Sequence, residues 1–358
     1  MGALFYPRVS PPVQSSLRSQ FHLQEIDKLE PSYLKLYSSG ELERRAKSLE
    51  ARLSSCDICP RGCHVNRKRD ERGFCLSGYH PVISTVCDHH GEEPVISGSK
   101  GTGAIFFGNC NMRCAYCQNF QISQNPQHEN SREMDFRALA QQMIYLQNEL
   151  HCHNISFISP SHFVPQLVQA VREAIPMGLN IPLIYNTNAY DSLETIRALD
   201  GIIDIYLPDL KYASDVPAKK FSFTDDYVKR ARQAIGEMYR QVGDKLVLDS
   251  SGLAQRGLIV RHLILPNDIA GSRDSLTWLA REISPQVTVS IMSQYYPTHL
   301  APQIPELRHR ISLSEHLTVL KIVDELELEN GWIQEMDAAE NYLPDFACKE
   351  HPFLQQVN

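Results

Sequence analysis

Three cysteines, Cys110, Cys114 and Cys117, lie in "FFGNCNMRCAYCQN", residues 106–119, with the spacing C-x3-C-x2-C. The stretch follows "GAIFF", a short apolar run of the kind that forms a buried strand. Three thiolates on one loop are too few to close a tetrahedral zinc site and too crowded for a sensible set of disulfides. In a four-iron, four-sulfur cluster every iron asks for a ligand, so three cysteines leave one iron open to a small molecule. The plainer alternatives are a zinc site completed from elsewhere, or three buried thiols without a metal.

A second block lies upstream. "CDICPRGCHVNRKRDERGFC" carries Cys56, Cys59, Cys63 and Cys75, spaced C-x2-C-x3-C-x11-C, with His64 and Cys87 as spare donors nearby. Four thiolates can close a zinc site or hold a second iron–sulfur cluster, and either metal would order a segment poor in apolar residues. "CDHHGEEP" (87–94) reads as a solvated or hydrogen-bonded turn, and the histidines around Cys152 as a helix end that needs no metal.

Alternating elements must position these residues. Residues 1–40 show no sustained period and read as a loosely packed arm; "ELERRAKSLEARL" then sets Leu42, Ala46, Leu49 and Leu53 on one stripe of a packing helix. From residue 102, strands are expected at 102–108, 155–160, 182–188, 204–211, 258–267 and 287–295. Helices are expected at 135–150, 164–177, 192–200, 224–240 and 272–283, with a last one over 314–330 and an irregular tail. This alternation predicts an α/β fold with a parallel sheet and right-handed crossovers, a partial (β/α)6 barrel with an N-terminal helical arm and a cysteine-rich cap. The expected division is 1–55 for arm and helix, 56–100 for the cap, 101–300 for the barrel and 301–358 for the C-terminal helix and tail. Chemistry in such barrels sits where strands end. The cysteine loop is at such an end, as are "SPSH", "NTNAY", "PDLK" and "LPND".

The bulk numbers agree with an ordinary soluble globular protein. The chain has 358 residues, 42% apolar and 22% charged, with a formal charge of −7, so no broad basic field points to nucleic acid. Neither a secretory leader nor an apolar run long enough to span a membrane is legible. With no export signal, ten cysteines favour metal ligation over disulfides and the cytoplasm as location.

The three-cysteine loop, with Tyr116 before its last cysteine, resembles the cluster loop of the radical S-adenosylmethionine (SAM) superfamily. "GNCNMRCAYCQNFQISQ" and "GEEPVISGSKGTGAIFF" resemble the branch related to pyruvate formate-lyase activating enzymes, in particular uncharacterised members with extra upstream cysteines. The resemblance covers roughly residues 50–300. It implies a barrel of the radical SAM type and a [4Fe-4S] cluster on Cys110, Cys114 and Cys117. It also implies SAM bound at the open iron and an electron donor such as flavodoxin or ferredoxin. One electron would cleave SAM to methionine and a 5′-deoxyadenosyl radical, which abstracts hydrogen from a macromolecular or small-molecule substrate, a glycyl-radical enzyme being the activating-enzyme-like case. Modification of another protein residue or of RNA is the second reading, and an iron–sulfur carrier or cluster-delivery protein the third. By the same resemblance Tyr116, Asp209 and Lys211 of "PDLK" and Arg261 of "RHLILPN" approach SAM. Asn186, Thr187 and Asn188 of "NTNAY" become polar contacts to SAM or substrate. "SPSH", with Ser159, Ser161 and His162, replaces the family's Gly-Gly-Glu-like turn that holds the SAM amino group.

Overall fold

The computed structural model describes residues 14–16, 25–26, 29–336, 343–348 and 351–353. Eleven strands run in chain order: β1 (Gln14–Ser16), β2 (Glu25–Ile26), β3 (Ile83–His89), β4 (Thr102–Phe107), β5 (Ile155–Ile158), β6 (Leu183–Thr187), β7 (Ile205–Pro208), β8 (Val247–Asp249), β9 (Ala254–Leu263), β10 (Thr288–Met292) and β11 (Gly331–Gln334). The main sheet has the order β1-β11-β10-β9-β7-β6-β5-β4-β3, and its ends do not meet. The six expected strands are its centre, all parallel in the order β4-β5-β6-β7-β9-β10. Every residue of β4, β5, β6, β7 and β10 is buried, as in a parallel sheet covered on both faces. This is an α/β fold of the partial-barrel kind.

The helices form where apolar residues recur at helical spacing. Tyr227–Val242 buries Tyr227, Ala231, Ala234, Ile235 and Met238, one stripe of a 16-residue helix. Phe136–Asn148 begins at Asp135, whose carboxylate accepts the Ala138 N–H at 2.7 Å, and Leu313–Glu325 begins in a reciprocal Ser312–Glu315 capping box. Glu41–Ala51 lays Leu42, Ala46 and Leu49 against the helix Val164–Ala174, as its stripe predicts.

Two expectations fail. The arm is not loosely packed throughout: Ser32–Ser38 is helical, with Tyr33 fully buried and its hydroxyl donating to Ile181 O at 2.9 Å. A seven-residue helix anchored by one tyrosine has no period to read. For 87–94 the solvated alternative fails and the hydrogen-bonded one holds, Glu92 N–H donating to Ser97 Oγ at 3.0 Å. β3 runs through His89, antiparallel to β4, and delivers Glu92 and Glu93 to buried positions.

Candidate functional site

The three-cysteine loop follows β4, and Cys110, Cys114 and Cys117 line a cavity of about 1280 Å³, counting the space open to solvent. Distant backbone pins the loop: Ala115 N–H donates to Phe221 O and Asn111 Nδ2 to Tyr190 O, both at 2.7 Å. Each sulfur has a polar neighbour. Cys110 Sγ accepts from Met112 N–H at 3.4 Å and Asn188 Nδ2 at 3.5 Å, and Cys117 Sγ lies 3.2 Å from Ser123 Oγ. Cys114 Sγ ends a relay in which Tyr116 donates to Tyr212 (2.8 Å), Tyr212 to Ser222 (2.6 Å) and Ser222 to the sulfur (3.1 Å). Burial pushes the Cys110 thiol up to about 12 and the Cys117 thiol up to about 11. Such thiols give up their protons to a cation. Three thiols with donors aimed at sulfur, on the wall of one cavity, fit a four-iron cluster with one open iron.

The neighbouring strand ends supply charge. Asp209 and Lys211, after β7, pair at 2.6 Å within the cavity wall. Burial opposes the ammonium charge of Lys211, but Asp209 and the Cys114 and Cys117 thiols outweigh it and raise its pKa above the ordinary lysine value. Arg261 on β9 gives Nε to Glu93 Oε1 at 2.9 Å and Nη2 to Glu93 Oε2 at 2.6 Å, and also contacts Glu92. Burial pushes the Glu93 carboxyl up to about 7, and the nearby Asp209 charge adds to it.

Most of the residues expected at the site meet there. Tyr116, Ser159, Asn186, Thr187, Asn188, Asp209, Lys211 and Arg261 all line the cavity with the three cysteines. Two do not. Ser161 is buried away from it, its hydroxyl 3.0 Å from Thr187 Oγ1, which in turn donates to Asp191. His162 bonds Gly108 O through Nε2 at 3.0 Å and lines a different cavity. Both residues lie in the turn between β5 and the helix Val164–Ala174, and both are buried. Sequence reasoning missed Glu92, Glu93 and a ladder of glutamines on the wall, in which Gln118 donates to Gln294 O (3.0 Å) and Gln334 to Gln294 Oε1 (2.9 Å). "GEEP" was the signal for the first two; scattered glutamines offer none.

The upstream cysteines converge as well. Cys56, Cys59, Cys63 and Cys75 line one smaller cavity of about 330 Å³ with Arg61, Arg67 and His162. Burial raises the Cys59 pKa above its ordinary value, and the charges of Cys75, Cys56 and Cys63 add to it. Among the described residues, no three His, Cys, Asp or Glu side chains are arranged to hold a single metal ion.

Residues 104–243 match the family described as the Radical SAM superfamily. The chain is similar to two proteins of Methanocaldococcus jannaschii. One is the uncharacterized protein MJ0674, 25% identical over 314 residues and 85% of each chain. The other is the uncharacterized protein MJ0808, 28% identical over 176 residues, 45% of this chain and 50% of that one. Among solved structures, it superposes on HydG, a maturase of the [FeFe]-hydrogenase, with a TM-score of 0.43 and 11% identity, over 64% of this chain and 50% of that one.

Proposed function

We propose that the chain is a radical SAM enzyme whose [4Fe-4S] cluster is held by Cys110, Cys114 and Cys117. The carrying observation is that Asp209, Lys211 and Arg261, from two different strands, converge with the three cysteines on one cavity. A cluster carrier has no use for such a pocket. The chemistry supplied by the bound cluster is one-electron cleavage of the SAM sulfonium C–S bond, giving methionine and a 5′-deoxyadenosyl radical for hydrogen abstraction. The electron comes from a donor of the flavodoxin or ferredoxin class. The chain's own residues hold and orient. Arg261 has the fork that a carboxylate takes in bidentate fashion, and Asn186, Asn188 and Ser159 offer polar contacts along the wall. Lys211 and Asp209 neutralise one another beside the thiols. The layout with upstream cysteines favours an activating-enzyme-like role, with a protein as hydrogen donor.

The test is anaerobic reconstitution, addition of dithionite and SAM, and quantification of 5′-deoxyadenosine, with Cys114→Ala as the inactive control. An intact cluster that yields none would turn the reading to an electron carrier.

A further inference from the structure

We propose that Cys56, Cys59, Cys63 and Cys75 hold a [4Fe-4S] cluster of their own, closed by four thiolates and therefore unable to bind SAM. The four cysteines line one cavity within the cap.

Buried positive charge around that cavity asks for an anion. Arg67 is 1% exposed; its Nε donates to Gly78 O at 2.8 Å and its Nη1 to His162 O at 2.5 Å, while Nη2 has no partner among the described residues. Arg61 gives Nε to Asn111 O at 2.9 Å and lies 3.6 Å over the Phe74 ring, and its Nη2 is likewise buried without a partner. Neither guanidinium has a carboxylate beside it among the described residues. A buried cation left unpaired is costly, and four thiolates around a metal core make a net anionic centre that balances both.

The backbone is shaped for sulfur as well. Phe74 N–H donates to Cys63 Sγ at 3.4 Å, and a Cβ on Gly73 would stand 2.7 Å from that sulfur. Glycine is required there for the chain to wrap the thiol so closely.

Four cysteines can hold either of two metals. A zinc ion with Zn–S bonds of about 2.3 Å draws its four sulfurs to about 3.8 Å of one another, whereas a cubane gives each thiolate a separate iron, and the metal content of the chain distinguishes the two. The cap is also pinned to the three-cysteine loop, through Arg61 to Asn111 O and through Arg113 Nη2 to Phe74 O at 3.0 Å.

The experiment uses the full chain, reconstituted anaerobically with iron and sulfide, in three forms: wild type, the triple variant Cys110→Ala, Cys114→Ala, Cys117→Ala, and the double variant Cys59→Ala, Cys63→Ala. Wild type should hold about eight irons and the triple variant about four, with matching sulfide. The reduced triple variant should give an electron paramagnetic resonance signal that SAM leaves unchanged. The double variant should lose about four irons and keep a signal that SAM perturbs. A triple variant without iron, or as-isolated protein with one zinc that the double variant loses, overturns the proposal. If the double variant fails to fold, the triple variant decides alone. Failure of the radical SAM reading would leave the triple variant's cluster in place, so the two outcomes are distinguishable.

Discussion

Arg261 faces two carboxylates at once. Glu92 and Glu93 hold its guanidinium across the cavity, so an incoming carboxylate must share or displace them. That arrangement fixes the position of the guanidinium in the cavity wall, while the exchange of one carboxylate for another sets the cost of binding. Arg261→Ala should weaken SAM binding at least about tenfold, on the order of 1.4 kcal/mol, with iron content unchanged. Equilibrium titration of the anaerobic holoprotein measures this, and an unaltered dissociation constant would reduce Arg261 to a structural partner of Glu93. Ser222 acts on the other side, through the hydrogen bond to Cys114 Sγ. A donor to a thiolate favours the reduced, more negative cluster. Ser222→Ala should therefore lower the midpoint potential by roughly 40 mV, the one-electron equivalent of about 1 kcal/mol, without loss of iron. A redox titration followed by paramagnetic resonance reads it; no shift would mean that the serine serves Tyr212 alone.

At the scale of elements, Asp204 joins the N-terminal helix to the sheet. Its Oδ1 accepts the Ser32 N–H, the first residue of the helix Ser32–Ser38, and its Oδ2 the Leu183 N–H that opens β6, both at 3.0 Å. Burial raises its carboxyl from 3.8 to about 6, against the pull of those hydrogen bonds. Between these values the folded chain keeps a proton that the unfolded chain has released. Its contribution to stability therefore falls as pH rises from about 4 to 7, by on the order of 3 kcal/mol. Urea unfolding of wild type and Asp204→Asn across that range should show curves that converge or cross; parallel curves would mean that Asp204 does not titrate in this window. Much of this architecture was legible in the chain. β4, β5, β6, β7, β9 and β10 are apolar runs spaced by helical stripes, and burial on both faces makes such runs continuous. β3 was not legible because "ISTVCDH" mixes polar residues into an edge strand with a half-exposed face. Glu92 and Glu93 read as part of a solvated or hydrogen-bonded turn because the cation that pairs with them among the described residues, Arg261, lies 168 residues beyond Glu93. Ser161 and His162 misled because strand-end position does not fix which way a turn faces.

At the scale of the whole molecule, the described C-terminal residues, 343–348 and 351–353, pack beside the cavity. Phe346 is buried edge-on against Phe106 at 5.1 Å, and Phe353 stacks on His89 at 4.2 Å. Polar contacts hold the segment down: Gln121 Nε2 donates to Asp345 Oδ1 at 3.0 Å, Phe346 N–H donates to Gln121 Oε1 at 2.8 Å, and His351 Nε2 donates to Asp88 O at 2.9 Å. Pro344 and Phe353 line the same cavity as the three cysteines. Chemistry of the proposed kind needs exclusion of water and oxygen, and aromatic packing on the wall of this cavity would supply it. Burial of Phe346 is worth about 1.5–3 kcal/mol, enough to hold the segment in place yet small against the stability of the barrel beneath. Deleting residues 343–358 should leave a folded chain that reconstitutes normally, because none of the three cluster cysteines or their hydrogen-bond partners is lost. Its visible iron–sulfur absorbance should then bleach several-fold faster in air than that of wild type, and Phe346→Ala with Phe353→Ala should fall between the two. Equal bleaching rates for all three forms would show that the segment packs on the cavity without sealing it.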